Sequence, residues 1–159
     1  MKLKVICVGK LKEAFWKEAV SEYVKRLGSY CQIEIMEVKD EPAPENLSQA
    51  GREEILLKEG RRILEKIPEK SFVIGLEIQG KRFTSEGFSK RLSEIALSGS
   101  SEIVFLIGGS LGLSQEARVR ENLAVSFSDM TFPHQLMRVI LLEQIYRAYK
   151  IMKKEPYHK

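Results

Sequence analysis

Hydrophobic positions along the chain alternate between short continuous runs and longer stretches with a single apolar stripe. The runs lie at residues 3–8, 71–78 and 102–107, and large aliphatic side chains fill them with little polar interruption. Such runs are typical of strands buried on both faces of a parallel sheet. Residues 32–38 alternate isoleucines with polar residues, which predicts a strand nearer the sheet edge, and residues 123–127 predict a last short strand.

Between the predicted strands, apolar residues recur at helical spacing. The first such stretch begins at Leu11, and the second follows a loop that contains Pro42 and Pro44. Strand and helix therefore alternate along the whole chain, and this order predicts a single α/β domain over residues 1–159. We expect a mostly parallel sheet with helices on both faces.

Local signals predict the ends of several helices. Gly28 stands where a C-terminal glycine would end the first helix, and Asn46, with Gln49 three residues later, is the predicted cap of the second. A turn is predicted at residues 79–82, and Ser114 is the expected cap of a short helix after the fourth strand. The inner face of the second helix is predicted to consist of Leu56, Gly60, Ile63 and Ile67.

The last helix is predicted to begin at Pro133 and to run to about Met152. Residues 136–142 are apolar on nearly every side of this helix. A helix packed on a sheet needs only one apolar face, so a second face remains to be covered. We expect a second copy of the chain to cover it in a homodimer, and deep burial within one chain is the alternative.

Composition narrows the possible partners and cofactors. The formal net charge is +4 and the pI is about 9.0, which permits a polyanionic partner without requiring one. The two cysteines and two histidines lack the spacing of a zinc site, so we expect no metal and two reduced thiols. The apolar run near the start ends at Gly9, too early for a signal peptide, and no stretch is long enough to span a membrane, which predicts a cytoplasmic protein.

A glycine-rich turn follows the fourth predicted strand at residues 108–112. Ligands bind at the carboxyl ends of parallel strands, and glycine lets the backbone approach them closely. The turn lacks the spacing of a dinucleotide site and the lysine of a P-loop. It matches the nucleophile motif of serine hydrolases at Ser110, but a hydrolase helix would begin directly after that serine, whereas Ser114 is the expected cap.

Several segments of the chain together resemble one known family. They are the strand and glycine turn at 107–113, the strand end at 76–81, and the segments 131–139, 143–148 and 156–159. In this combination they resemble the RlmH family, the ribosomal RNA large subunit methyltransferases H of the SPOUT class. The resemblance extends from the Met-Lys-Leu start of the chain to its Pro-Tyr-His-Lys tail.

This resemblance implies a C-terminal trefoil knot, which the pattern of the sequence does not predict. It implies methyl transfer from S-adenosyl-L-methionine, without a metal, to N3 of a pseudouridine in large-subunit ribosomal RNA, by a homodimer acting on the assembled ribosome. At the position of Ser110 the family commonly has proline, which favours a turn residue over a nucleophile. The implied cofactor site consists of Leu76, Gly108, Gly109, Phe127, Ser128, Asp129, Met130, Thr131 and Phe132.

Methylation of an imide nitrogen requires that its proton leave as the methyl group arrives, and a histidine or tyrosine can assist this step. With the resemblance, Tyr157 and His158 are the candidates, and a frayed terminus is the alternative. His134 is either catalytic or hydrogen-bonded at the start of the last helix. Arg138 and Arg147 are expected to bind phosphate, orient the base or form an ion pair across the dimer.

RNA contacts are expected from basic side chains of the last helix and tail, namely Lys150, Lys153, Lys154 and Lys159. A net charge of +4 is modest for binding naked RNA, so we expect the folded ribosome to supply much of the recognition surface. The alternative function from another class is a non-catalytic ribosome-binding or assembly factor with the same fold.

Overall fold

The computed structural model describes residues 1–159 and contains five strands and five helices in strict alternation. The strands are β1 (Lys2–Val8), β2 (Gln32–Val38), β3 (Phe72–Arg82), β4 (Glu102–Ile107) and β5 (Leu123–Ser126). The helices are α1 (Ala14–Leu27), α2 (Gln49–Leu64), α3 (Ser85–Leu97), α4 (Gln115–Arg120) and α5 (His134–Met152). The predicted α/β class and the predicted order of elements are confirmed.

All strand pairs of the sheet are parallel, and the strand order is β2-β1-β4-β3-β5. The apolar residues of β1 and β4 are buried on both faces, as their continuous apolar runs indicate. β2 lies at an edge, as its alternating pattern predicts. Because every strand points the same way, the carboxyl ends of all five lie along one side of the sheet, which we call the carboxyl edge.

Two hydrophobic cores lie on the two faces of the sheet. The larger core contains Leu3 and Val5 of β1 and is completed by α1, α3 and α5. The smaller core contains Ile6 and Val8 of the same strand and is completed by α2 and α4. Neighbouring residues enter opposite cores because side chains alternate along a strand. Within the larger core, α5 packs against both α1 and α3.

β3 is longer than predicted because its end pairs with β5 a second time. Val125 pairs in parallel with Leu76 and again with Lys81. The residues between these two partners cross β5, so the turn predicted at 79–82 is instead part of the strand. Gly80 lies directly on β5, since a Cβ there would be 2.6 Å from the backbone N and C atoms of Val125.

Most helix ends agree with the local signals, and two need correction. Thr84 and Ser114 cap α3 and α4 by accepting hydrogen bonds from backbone N–H groups. Ser48, rather than Asn46, caps α2 in the same way. Gly28 ends α1 but has a right-handed φ of −56°, so it is not a left-handed C-terminal glycine.

Three further features concern the cysteines, the possible metal ligands and the helix lengths. Neither cysteine forms a disulfide; Cys7 is buried and Cys31 is partly exposed. No group of three or more histidine, cysteine, aspartate or glutamate side chains is arranged to hold a metal ion. None of the helices combines the length and the apolar character needed to cross a membrane.

Candidate functional site

A pocket of about 560 Å³ opens at the carboxyl edge, where β3, β4 and β5 end. The ends of those strands, the glycine turn, the loop after β5 and the start of α5 form its walls. Asp129 of the implied cofactor site does not line the pocket, because its carboxylate pairs with Arg82 at the surface. The other implied cofactor residues all line it: Leu76, Gly108, Gly109, Phe127, Ser128, Met130, Thr131 and Phe132.

The glycine turn is tight because the backbones of Gly108 and Gly112 are in close contact. The N–H of Gly112 donates to the carbonyl of Gly109 at 3.0 Å, and Gly112 has a φ of +85°. A Cβ on Gly108 would lie 2.5 Å from the carbonyl group of Gly112, so a larger residue cannot occupy position 108 in this turn. The turn therefore presents mainly backbone groups to the pocket.

The pocket contains few charged groups. Among its lining residues, Glu77 and Arg118 carry full charges, and His134 is the only other titratable side chain. Burial, followed by the nearby charge of Arg138, lowers the pKa of His134, so its imidazole is neutral at neutral pH. A neutral imidazole can accept a hydrogen bond or a proton through one ring nitrogen.

Arg138 belongs to the scaffold and not to an RNA-binding surface, because it is only 1% exposed. Its guanidinium pairs with Glu37 at 2.7 Å and donates to the carbonyls of Val8 and Gly9 at 3.2 and 2.7 Å. Arg138 was expected to bind phosphate, orient the base or form an ion pair across the dimer. The structure shows an ion pair, but with Glu37 of the same chain. These bonds attach the start of α5, and with it His134, to the ends of β1 and β2.

A second carboxyl group, that of Glu121, lies next to Glu77. One of its oxygens is buried without a hydrogen-bond partner and lies against Gly75, where a Cβ would overlap it. Burial, and then the negative charge of Glu77, raise the pKa of Glu121 to about 8. Glu121 is therefore protonated at neutral pH, while Glu77 forms an ion pair with Arg118 at 2.8 Å.

Replacing Glu121 by Gln is expected to stabilise the protein at pH 8 and to leave it unchanged near pH 4.5. Folding keeps a proton on Glu121 that the unfolded chain releases above a pKa near 4.5, so this group lowers stability as the pH rises from there to about 8. The glutamine side chain does not titrate in this range. We therefore expect the variant's free energy of unfolding to exceed that of the native protein by about 1 to 2 kcal/mol at pH 8. Urea unfolding at both pH values measures the effect.

Glu116→Gln is the control, because Glu116 is exposed at the other end of α4. This variant should keep the pH dependence of the native protein. If Glu121→Gln also keeps it, the carboxyl of Glu121 is ionised in the folded state and its assigned protonation is wrong.

The tail packs against α5 and does not enter the pocket of its own chain. The Tyr157 hydroxyl donates to Glu143 at 3.2 Å, and its ring lies on the guanidinium of Arg147. Glu143 and Arg147 lie about 14 and 20 Å along the helix from His134. The structure thus brings Arg147, Tyr157 and His158 together, packed rather than frayed, but separates them from His134 and the pocket.

His158 connects α5 to α3 through both ring nitrogens. Nδ1 lies 3.3 Å from Arg147 and Nε2 lies 2.8 Å from the carboxylate of Glu86. Arginine only donates and a carboxylate only accepts, so these contacts assign the tautomer with the proton on Nε2. Burial raises the pKa of Tyr157. In this arrangement Tyr157 and His158 are both engaged in contacts within their own chain.

The residues of a serine hydrolase are not assembled around Ser110. Ser110 is exposed on the glycine turn, and α4 begins only after the cap residue Ser114. Neither histidine is hydrogen-bonded to Ser110: His134 lines the same pocket beside Arg138, and His158 is bonded to Arg147. The geometry gives Ser110 no base, and it is a turn residue.

A family described as Predicted SPOUT methyltransferase matches residues 1–158. The chain belongs to the SPOUT methyltransferase family. SPOUT methyltransferases use S-adenosylmethionine as the methyl donor. The family match covers the strands, the pocket and nearly all of the tail.

The pocket of this SPOUT chain fits such a donor. Its volume lies within the range of about 300 to 1,000 Å³ that is usual for small-molecule sites. Leu76 and Phe127 supply apolar walls against which an adenine ring can pack, and the turn at Gly108 supplies backbone hydrogen-bonding groups. The single acidic and single basic side chains, Glu77 and Arg118, suit the charged end of the molecule.

Glu77, Arg118 and Glu121 of this SPOUT site are not among the functional residues that the sequence predicts. Arg118 follows the cap residue Ser114 by about one helical turn. From this spacing its position near the strand ends could have been predicted. Glu77 interrupts an otherwise apolar strand end, which is a weaker signal. For Glu121 no local signal exists, because its burial depends on Gly75, which is distant in sequence.

Proposed function

We propose that this chain is a ribosomal RNA methyltransferase of the RlmH type, which methylates N3 of a pseudouridine in the large subunit. Family membership supports methyl transfer, and the segments at 131–139, 143–148 and 156–159 support the finer assignment. The observation that carries the proposal is the convergence of the implied cofactor residues on one pocket at the carboxyl edge. The sulfonium of S-adenosylmethionine supplies an activated methyl group.

The residues of the chain bind and orient the reactants, and none of them forms a covalent bond in this proposal. The turn at Gly108 and the loop at 127–132 hold the donor and orient it toward the base. His134 lines the same pocket with a neutral imidazole, so it is placed to accept the proton that leaves N3.

We further propose a homodimer through α5 in which each tail completes the pocket of its partner. The tail lies far from the pocket of its own chain, and Leu136, Val139 and Ile140 on α5 are only partly buried. If two α5 helices pack antiparallel, the C-terminal end of one lies beside His134 of the other. This arrangement covers the apolar surface and brings Tyr157 and His158 to a cofactor site.

The proposed RNA partner is ribosomal RNA within the assembled ribosome, which places the protein in the cytoplasm. The exposed lysines Lys153, Lys154 and Lys159 at the end of α5 and in the tail support contacts to phosphate. Lys150 is less available, because its ammonium pairs with Glu155 at 2.7 Å.

Two measurements test this proposal. Calorimetry should show one S-adenosylmethionine bound per chain in metal-free buffer, and no detectable binding contradicts a methyltransferase. Primer extension across modified nucleotides of large-subunit ribosomal RNA, from cells with and without the gene, should show a stop that depends on the gene. Binding to ribosomes without such a stop supports instead the non-catalytic assembly factor.

A further inference from the structure

The pocket contains one pair of opposite charges, formed by Glu77 at the end of β3 and Arg118 on α4. These are the only fully charged side chains among its lining residues. Nε of Arg118 lies 2.8 Å from a carboxylate oxygen of Glu77. An otherwise uncharged pocket thus has a positive and a negative group side by side on one wall.

Arg118 is fixed at its base, whereas the outer part of its guanidinium is open. Its helix is held by the cap residue Ser114 and by Ala117, which is completely buried. Nη2 faces the glycine turn, 4.0 Å from the position that a Cβ on Gly112 would take. The side chain is 47% exposed, and only Nε is engaged by Glu77. The two Nη groups are therefore free to bind a carboxylate in a bidentate manner.

Glu121 lies beside Glu77, and its carboxyl, whose pKa burial raises to about 8, is protonated at neutral pH. Gly75 provides the space for Glu121, because a side chain there would overlap its carboxyl. A protonated carboxyl carries no charge, so Glu121 does not repel the carboxylate that pairs with Arg118. The side chain of Glu77 is 17% exposed, so a ligand group can still reach it.

We propose that Glu77 and Arg118 form a subsite for the α-amino acid group of the bound ligand. The ligand carboxylate binds the Nη groups of Arg118, and the ligand ammonium binds Glu77. A zwitterionic amino acid carries these two charges on one carbon, which matches an acidic and a basic group in contact. The inference rests on the proposed function, since the methionine part of S-adenosylmethionine supplies this group.

Two ligands that differ in the amino acid chain test the subsite. S-adenosylhomocysteine has the α-amino acid group, and 5′-methylthioadenosine keeps the adenosine and the thioether without it. By calorimetry, Arg118→Gln should weaken S-adenosylhomocysteine binding about 10- to 100-fold. Binding of 5′-methylthioadenosine should change by less than about twofold, because no charged contact is removed. Arg52→Gln, an exposed position on α2, is the charge-matched control and should change neither affinity.

The ratio of the two affinities decides the outcome. An unchanged ratio in folded Arg118→Gln, or an equal loss for both ligands, overturns the subsite and leaves Arg118 a structural role. Arg118→Lys keeps the charge but not the bidentate geometry, so its ratio should be intermediate, and it replaces the Gln variant if that variant does not fold. If the native chain binds neither ligand, the proposed function itself is wrong. If the native chain binds both ligands and Arg118→Gln leaves the ratio of their affinities unchanged, only the subsite is wrong.

Discussion

Replacing Gly80 by Ala is expected to lower the free energy of unfolding by about 3 kcal/mol or more, near the upper end for overpacked sites. A Cβ at this position would lie 2.6 Å from the backbone N and C atoms of Val125 and 2.7 Å from the carbonyl carbon of Ala124. These are backbone atoms of β5 and cannot rotate away as a side chain can. Urea unfolding monitored by circular dichroism measures the loss.

Gly87→Ala is the matched control for this variant. Gly87 lies in the first turn of α3, where the nearest atom to a new Cβ would be the Thr84 hydroxyl oxygen at 3.2 Å. Alanine is a better helix former than glycine, so Gly87→Ala should leave stability unchanged or raise it by up to about 1 kcal/mol. Equal stability of the two variants would contradict the close approach of Gly80 to β5.

The same contact should connect stability to cofactor binding. β5 leads directly into the loop at 127–132, which lines the pocket, so displacement of Val125 moves that loop. We therefore expect Gly80→Ala to bind S-adenosylmethionine weakly even at temperatures where it is folded. The double pairing of Val125 also supports the trefoil knot that the resemblance implies, and we propose that β5 is threaded between the two parts of β3.

The order of elements could be predicted from the sequence because it depends on local patterns. The apolar runs of β1 and β4 can be recognised without knowing which strands lie beside them. Ser114 caps α4 by accepting from the N–H of Ala117, only three residues away. The position of the pocket could also be predicted, since parallel strands place their carboxyl ends on one edge. The turn at Gly108 and the loop at 127–132 both follow such ends.

Features that depend on distant contacts could not be predicted from the pattern. The inner face of α2 was predicted to include Leu56 and Ile67, but Ile55 and Glu59 are buried instead. The helix is rotated in this way because Gly60 packs against Ser114, where a Cβ would overlap the serine side chain.

The buried charges are a second feature of this kind. Glu59 is 4% exposed, with its carboxylate against Gly109, and Arg138 is 1% exposed. The two Nη groups of Arg138 bind groups more than a hundred residues away, as the bond to Glu37 shows. A charged residue on an amphipathic helix is usually solvated, so no local rule predicts these positions.

Deletion of residues 157–159 is expected to lower methylation by about 100-fold, because the tail is proposed to complete the partner's pocket and a misplaced substrate can cost about this much. S-adenosylmethionine binding should change by less than about twofold, because the residues proposed to hold the donor all lie outside the tail. The deletion should also lower the free energy of unfolding by about 1 to 2 kcal/mol, because Tyr157 packs on Tyr146 and Arg147. Methylation of ribosomes, calorimetry and urea unfolding measure the three quantities.

His158→Gln is the more selective variant, since it keeps a polar side chain of similar reach while removing the titratable ring. Methylation that falls in the deletion but not in this variant excludes His158 and leaves Tyr157 or the proposed phosphate contact of Lys159 as the cause. Full methylation activity in the deletion variant would show that the tail has no role in the reaction.

A mixed dimer shows which chain supplies the tail. One subunit lacks residues 157–159 but keeps its pocket, and the other keeps its tail but carries Gly108→Val, whose side chain would collide with Gly112. Each homodimer should be inactive, whereas the mixed dimer should recover up to about half of the native activity, because one complete site is formed between the two chains. Recovery requires that the tail act on the partner, as its packing on Glu143 and Arg147, about 14 to 20 Å along α5 from His134, indicates. An inactive mixed dimer with normal cofactor binding in the tail-deleted subunit would show that each tail acts on its own chain and must leave Glu143 to reach the pocket.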